Sequence, residues 1–336
     1  MTPPLRTPLC DLLGCDVPVL LAGMGGVARW ELAAAVAAAG GYPQLGMVRE
    51  DPALIAREVT ALRAAMPRPF AVNLIPAATE PGLLDRQIGT CLDLGVGAFS
   101  FFWDVVPAAL ARVKAAGAQV IHQVGTPEAA RMAQDAGADV LVAQGAEAGG
   151  HVHGETGLLA LVETVARAAW VPVVASGGIG TGAGLVAALA AGAQGVQCGT
   201  AFLATPESFA HDYHKDRVVA AHATDTLRTD IFVLNWPAHA AVRVIANSTT
   251  RPLGHRLTGH DPAALPREVI AQEDGRPILR YSTDSPLRTT TGDLEAMALF
   301  AGQGVDAITA VIPAGDRLRR IMAEAEAILT RLGTRP

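Results

Sequence analysis

Short apolar runs alternate with alanine-rich helical patterns along the first 205 residues. The apolar runs are rich in valine, leucine and isoleucine, a composition typical of buried strands. Each intervening segment repeats apolar residues at helical spacing, and several end in Ala-Gly directly before the next strand. The pattern predicts eight strands: VPVLLA (17–22), YPQLGMV (42–48), FAVNLI (70–75), GAFSFF (97–102), AQVIHQ (118–123), ADVLVAQ (138–144), VPVVAS (171–176) and AQGVQCG (193–199).

The strict alternation of strands and helices indicates the fold class. A strand followed by a crossover helix and another strand requires right-handed connections and a parallel sheet. Eight such units close most naturally into an α/β fold of the (β/α)8, or TIM, barrel type. An open, doubly wound sheet is the alternative architecture.

The pattern changes after residue 205, in a segment that holds most of the histidines and many prolines. Helical periodicity returns at Gly292–Gly304 and Asp316–Leu332. We therefore expect residues 1–205 and 290–336 to form the barrel. Residues 206–289 are expected to form an inserted, smaller, mainly helical or irregular subdomain that covers the substrate.

Composition and charge narrow the class of protein. The net charge is −6 and no long basic run occurs, so we expect no nucleic-acid partner. No uninterrupted apolar stretch of about 18 residues and no secretory signal are found, so no membrane partner and a cytoplasmic location are expected. The four cysteines lack C-x-x-C spacing, which favours reduced thiols.

Glycine-rich loops follow the first, seventh and eighth strands. VVASGGIGTG and VQCGTAF expose backbone N–H groups where a helix begins, an arrangement that suits a phosphate group, and barrels commonly bind phosphate there. Ordinary tight turns are the alternative interpretation. LAGMGGVA also matches a dinucleotide fingerprint, although in a barrel its glycines would instead let the backbone approach a flat ring.

The loop after the sixth strand, QGAEAGGHVHG, carries the strongest chemical signal. Gln144 can offer an amide to a ring edge, and Gly149 leaves space for a cofactor beside the backbone. His151 would face the barrel mouth as an acid–base or anion-contacting residue, with a merely structural histidine as the alternative. His151 and His153 would point to opposite sides of an extended segment, which disfavours a metal site.

Polar residues also end two other strands. Asn73 lies in an otherwise apolar strand, and a buried amide needs a hydrogen-bond partner, which either the neighbouring backbone or a ligand can supply. His122 and Gln123 end the fifth strand and are expected to face the same mouth. Cys198 is expected to be a small buried residue rather than a nucleophile.

Taken together, AGMGGVARWELAAAVAAAGG, VNL, QGAEAGGHVHG, ASGGIGTGAGLVAALAAGAQGVQCGTAFL and AMALFAGQG resemble nitronate monooxygenases, formerly called 2-nitropropane dioxygenases. The resemblance implies an FMN-dependent (β/α)8 barrel with His151 as the catalytic histidine. It implies that Met24 and Gly25 lie against the flavin and that Gly178, Gly199 and Thr200 hold its phosphate. The full set of FMN-binding residues that it implies is Met24, Gly25, Asn73, Gln144, Gly149, Gly178, Gln197, Cys198, Gly199 and Thr200.

The resemblance further implies oxidation of an alkyl nitronate by O₂ to a carbonyl compound and nitrite. His151 would abstract the α-proton of a nitroalkane if neutral, or hold the anionic nitro group if protonated. The expected partners are therefore a small-molecule nitronate and O₂, and homodimer formation stays open. Three rivals remain: an NADH-dependent flavin enoyl-acyl-carrier-protein reductase on the same barrel, a non-catalytic flavin- or phosphate-binding module, and a metal-dependent hydrolase.

Overall fold

Eight parallel strands close into a barrel in the computed structural model, which describes residues 5–238 and 240–333. Neighbouring strands pair in chain order, and the first strand also pairs with the eighth. A parallel bridge between Leu20 and Tyr42 completes the ring. This confirms the predicted (β/α)8 fold class. The strands are β1 (Val19–Leu21), β2 (Gln44–Gly46), β3 (Ala71–Leu74), β4 (Ala98–Phe101), β5 (Gln119–Val124), β6 (Val140–Gln144), β7 (Val173–Ser176) and β8 (Gly195–Cys198).

Eight helices surround the strands. Four of them, α2 to α5, begin with a proline. Its fixed φ matches the first helical turn, and a backbone N–H at this position would have no partner within the helix, so proline loses no hydrogen bond there. Thr126 and Thr181 cap α5 and α7 by accepting a hydrogen bond from a backbone N–H of the first turn. The helices are α1 (Trp30–Ala38), α2 (Pro52–Ala65), α3 (Pro81–Asp93), α4 (Pro107–Ala115), α5 (Pro127–Asp135), α6 (Leu158–Ala168), α7 (Gly182–Ala190) and α8 (Ala314–Gly333).

The eighth ring helix comes from the end of the chain. It packs between α7 and α1 and so fills the last place in the ring. The fit against α7 is backbone to backbone, because a Cβ on Gly182 would lie 2.3 Å from the nitrogen of Ala325. Glu324 also accepts a hydrogen bond from the Gly182 N–H at 2.9 Å, which satisfies a free donor at the start of α7.

The barrel interior is closed at its amino-terminal end. Inward-facing side chains such as Leu20, Ile121 and Val142 form one buried cluster. The short N-terminal helix Pro8–Leu13 adds Leu9, Cys10 and Leu13 to that cluster and so plugs the bottom of the barrel. The open space of the barrel therefore lies at the carboxyl ends of the strands.

The segment between β8 and α8 is richer in strands than the sequence predicts. It holds the helix Asp212–Ala220 and two small antiparallel sheets. One sheet pairs Thr226–Thr229 with Val242–Ile245, and the other contains the hairpin of Val269–Glu273 and Arg276–Leu279. The division of the chain into a barrel and a covering subdomain stays a prediction.

The predicted helix over residues 292–304 is wrong. The structure has a two-residue strand at Thr291–Gly292 and two 3₁₀ turns at Leu294–Ala296 and Gln303–Ala307. Between the turns the chain is extended, and the N–H of Ile245 donates to the carbonyl of Leu299. A short run that is apolar on every side fits a buried extended segment as well as a helix, so its periodicity did not decide between them.

None of the helices within residues 5–238 and 240–333 combines the length and apolarity that crossing a bilayer requires. The four cysteines are free and buried.

Two fully buried histidines predict an acid-sensitive fold. Burial lowers the pKa of His122 and of His214 to about 4, because a charged imidazolium is disfavoured in the apolar interior. Between pH 6.5 and pH 4 the unfolded chain then binds protons that the folded chain does not. The free energy of unfolding should fall as the pH is lowered through this window, by up to about 1.4 kcal/mol per pH unit for each histidine.

Urea unfolding at a series of pH values measures this dependence. His214 Nε2 donates to the carbonyl of Phe300 at 3.0 Å, and the amide of glutamine can make the same bond. His214→Gln should therefore fold but show a shallower loss of stability on acidification. An identical slope in the wild type and in the variant would contradict the assignment to His214.

Candidate active site

A cavity of about 750 Å³ opens at the carboxyl ends of the strands. This volume is typical of a site for a cofactor together with a small substrate. Its walls combine strand ends and βα loops of the barrel with residues from the segment between β8 and α8. Ten of the eleven residues predicted for the site line it: Met24, Gly25, Asn73, Gln144, Gly149, His151, Gly178, Gln197, Gly199 and Thr200.

Cys198 does not line the cavity. Its side chain packs in the layer between the sheet and the helices. Successive side chains of a strand point to opposite faces, so the inward position of its neighbour Gln197 directs Cys198 outward. This position agrees with the expectation of a small buried residue, and the assignment of Cys198 to the FMN site stays a prediction that only its backbone could fulfil. His122 is likewise on the outer face of β5, and only Gln123 reaches the cavity.

Side-chain amides cross the floor of the cavity. Gln44 donates to Gln197 at 2.8 Å, and Gln197 donates to Gln123 at 2.7 Å. Asn73 donates to both the carbonyl and the hydroxyl of Ser100. These bonds fix the amide groups, which can both donate to and accept from the edge of a polar ring. The partner of Gln197, Gln44, was not singled out from the sequence because it lies within the run assigned simply as the second strand.

Glycines interlock the loops around the cavity. A Cβ on Gly149 would lie 2.4 Å from the nitrogen of Gly302, and one on Gly304 would lie 2.5 Å from the carbonyl oxygen of Gly178. Gly178 itself has φ +68°, a conformation that favours glycine. The N–H of Gly302 donates to the Thr200 hydroxyl at 3.0 Å. The loops after β6, β7 and β8 are thus joined through one short segment before α8.

The backbone of His151 is fixed from both sides. The two-residue strand Gly150–His151 pairs with Val242 and Arg243 in the segment between β8 and α8. On the other side, the Gln144 amide donates to the carbonyl of His151 at 2.9 Å. The acidic residue of the same loop, Glu147, is used structurally: its carboxylate accepts the N–H of Leu158 and caps α6.

Aromatic rings enclose the His151 imidazole. Its ring stacks on Trp236, with centroids 3.5 Å apart and an interplanar angle of 22°, and Trp103 meets it edge-on at 6.2 Å. The Nε2 atom is buried and has no hydrogen-bond partner among the described residues. Burial lowers the pKa of His151 to about 3, and the nearby Arg49 cation adds to the effect. The imidazole is therefore neutral at pH 7.

His153 has a different position. It is absent from the residues that line the cavity and packs edge-on against Trp103, with ring centroids 4.8 Å apart. Only His151 of the two lines the cavity, so the two side chains lie in different surroundings. Within residues 5–238 and 240–333, no three His, Cys, Asp or Glu side chains come together in a group that could hold a metal ion.

Sequence reasoning missed the residues that surround His151. Trp236 and Arg49 line the cavity, and Trp103 packs behind them. Arg49 and Trp103 adopt positive φ values of 59° and 78°, which non-glycine residues rarely do outside functional or tightly constrained positions. The only sequence signal was indirect: a tryptophan beside a proline, after residue 205.

The sequence model of the nitronate monooxygenase family matches residues 6–85 and 76–324. The chain belongs to the nitronate monooxygenase family. It is similar to a probable nitronate monooxygenase of Bacillus subtilis, with 33% identity over an alignment of 347 positions that covers 91% of this chain and 95% of the relative. The family resemblance expected from the glycine loops and the G-G-H loop is thereby confirmed.

Two other proteins extend the range of relatives. A (3aS,4S,5R,7aS)-5-hydroxy-7a-methyl-1-oxo-octahydro-1H-indene-4-carboxyl-CoA dehydrogenase of Mycobacterium tuberculosis is 38% identical over 227 residues, or 67% of this chain. The chain spans only 63% of that relative's length. The solved structure of FabK from Thermotoga maritima has a TM-score of 0.82 at 29% identity, covering 98% of this chain and 99% of FabK. The barrel is therefore shared with FabK, and the sequence similarity extends to a carboxyl-CoA dehydrogenase.

The glycine contacts predict a sharp difference between two substitutions. Gly149→Ala places a Cβ against the backbone of Gly302, which cannot move aside as a flexible side chain can. We expect it to lower the free energy of unfolding by about 1–3 kcal/mol. Gly97→Ala is the matched control, since a Cβ at Gly97 has no atom within 4 Å in the described structure.

Urea unfolding of both variants provides the measurement. Gly97→Ala should match the wild type or slightly exceed it, because alanine restricts the unfolded chain. Equal stability of the two variants would show that the loops after β6 and before α8 are not held together by this contact.

Proposed function

We propose that this protein binds FMN in the barrel cavity and oxidises alkyl nitronates with O₂ to a carbonyl compound and nitrite. The observation that carries the proposal is the neutral, buried imidazole of His151, which faces a cavity walled by glycines and side-chain amides. Membership of the nitronate monooxygenase family and the nearly full-length likeness to the B. subtilis relative support it.

The residues of the cavity suit FMN. The amides of Asn73, Gln123 and Gln197 offer donors and acceptors for the polar edge of a flavin. The glycines that line the cavity let a flat ring approach the backbone closely. Gly23 also leaves room for the Asn73 side chain, since a Cβ on Gly23 would lie only 2.3 Å from it. We assign Met24 and Gly25 to the ring, and Gly178, Gly199 and Thr200 to the phosphate. When bound, FMN supplies the electron-transfer chemistry.

His151 would act as a proton acceptor. Its Nε2 has no hydrogen-bond partner among the described residues and its ring is neutral at pH 7, so it can accept the α-proton of a neutral nitroalkane. The imidazolium that forms would be stabilised by the nitronate anion beside it. Trp103 and Trp236 keep water away from the ring and hold its plane. A nitronate supplied as the anion needs no such proton transfer.

Two rival activities stay open for the same site. The likeness to FabK is compatible with the reductase alternative, in which NADH rather than a nitronate reduces the flavin. The M. tuberculosis relative, which has the higher identity, favours a dehydrogenase that acts on a carboxyl-CoA compound. Each rival names a different electron donor, so one set of mixing experiments separates them.

The decisive measurement is the visible absorbance of the purified protein, mixed without oxygen with propionate 3-nitronate, with NADH, or with an acyl-CoA thioester. The proposed function predicts a flavin spectrum that loses intensity rapidly with the nitronate and does not respond to the other two. Rapid bleaching by NADH or by the thioester, with no response to the nitronate, would replace the proposed function with the corresponding rival.

The proton-transfer role predicts a selective effect of His151→Asn. Turnover of a neutral nitroalkane should fall by about 10²–10⁴-fold, the usual contribution of a general base, while flavin stays bound and preformed nitronate is affected less. His153→Asn is the control, because His153 lies outside the cavity lining. Initial rates with both substrate forms measure the difference, and unchanged nitroalkane turnover in His151→Asn would exclude the role.

A further inference from the structure

We infer that Arg49 and Trp236 form a subsite for a planar anion with two oxygens, the chemical class that contains carboxylates and nitronates. The subsite lies in the cavity wall beside His151 and would orient the charged end of the substrate. The inference deepens the proposed function and rests on it for the identity of the substrate, but the anion-binding property can be tested separately.

Arg49 is a cation without a matching anion. Its guanidinium lines the cavity and donates to the carbonyl of Asn235 at 2.8 Å, but no carboxylate of the described residues forms an ion pair with it. Burial lowers the pKa of Arg49, because a charge is costly where water is excluded. An arginine in this position is stabilised by a ligand that brings a negative charge.

Asp284, the carboxylate with the largest favourable effect on the Arg49 charge, already has other partners. Asp284 accepts from Arg276 at 3.0 Å and from the side chain of Asn235 at 3.0 Å. Glu50 and Asp284 both favour the charged form of Arg49 through space, but neither carboxylate forms an ion pair with it among the described residues. The Arg49 charge is therefore left for something that enters the cavity.

Trp236 supplies an independent observation that points to the same ligand. Its side chain is only 8% exposed and lines the cavity, yet its Nε1–H is buried and has no partner among the described residues. A buried donor of this kind normally has an acceptor. An indole N–H can only donate, so a partner for it must be an acceptor, and an anionic oxygen is a strong one.

The surrounding backbone fixes the two side chains. Arg49 and Trp103 are two of three non-glycine residues with positive φ in the described ranges, and such strain persists only where the structure enforces it. Trp103 meets Trp236 edge-on at 6.0 Å, and the Arg49 guanidinium carbon lies 5.9 Å from the centre of the Trp236 ring. The cation, the indole and the stacked imidazole of His151 therefore form one rigid group.

The donor geometry selects the class of anion. A guanidinium presents two parallel N–H groups that match two oxygens of one planar group, and the indole N–H adds a third donor. Nitronates and carboxylates have this shape, so a carboxylate that cannot be oxidised reports on the subsite without chemistry.

Isothermal titration of the flavin-loaded protein with propionate tests the inference. We expect saturable binding to the wild type, at least tenfold weaker binding to Arg49→Gln and about five- to tenfold weaker binding to Trp236→Phe. Phenylalanine keeps an aromatic ring for the stack on His151 and lacks the N–H, although it is smaller than the indole. Arg49→Lys should bind more tightly than Arg49→Gln because it keeps the charge.

Arg57→Gln is the charge-matched control: Arg57 lies at the cavity mouth with its side chain 68% exposed, and its loss should change binding less than twofold.

Several results would overturn the inference: no saturable propionate binding, wild-type affinity in both Arg49→Gln and Trp236→Phe, or an equal loss in Arg57→Gln, which would indicate general charge attraction. Should Trp236→Phe fail to fold by circular dichroism, the Arg49 series decides alone. With a nitronate as substrate, both site variants should raise KM far more than they lower kcat. Propionate binding with the expected pattern, in a protein that does not oxidise nitronates, would retain the subsite and reject the proposed function.

Discussion

Closure of the sheet by the Leu20–Tyr42 bridge is the constraint on which the rest of the structure depends. A closed parallel barrel has its eight strand ends at one rim, so every βα loop opens onto the same space. With the opposite rim plugged by Leu9 and Leu13, the cavity among the described residues opens on that side. This closure explains the amides on the floor of the cavity. Side chains that point inward near the carboxyl ends of the strands face the cavity rather than another apolar layer, so polar groups are tolerated there.

Direct contact between backbones organises the rim. Gly149, Gly178, Gly302 and Gly304 bring three segments within distances that no side chain would permit. This contact connects the loop of His151 to the segment that precedes α8, and pairing of His151 with Val242 connects it to a second part of the same segment. The position of the imidazole is therefore set by the barrel and by the segment inserted between β8 and α8 together.

The predictable features are those with local causes. Strand runs, proline-initiated helices and glycine loops reflect preferences within a few residues, so the barrel and the glycine loops that line its cavity follow from the sequence. The alternation that begins at Gly195 turns the Cys198 side chain away from the cavity, which its place beside a glycine loop does not indicate. The run AMALF was read as helix because its pairing partner, Val242–Ile245, lies more than fifty residues earlier. Trp236 and Arg49 come together only through tertiary contacts, and no local pattern of either residue indicates its partner.

The origin of α8 determines the order in which this molecule can be completed on the ribosome. The strands and seven of the ring helices precede residue 204, but the helix that fills the remaining place begins at Ala314. At about 5–20 residues per second, synthesis of the intervening segment takes roughly 5–20 s. During that interval the apolar surface between α1 and α7 has no cover from its own chain. Newly made molecules are then exposed to association with one another through this surface.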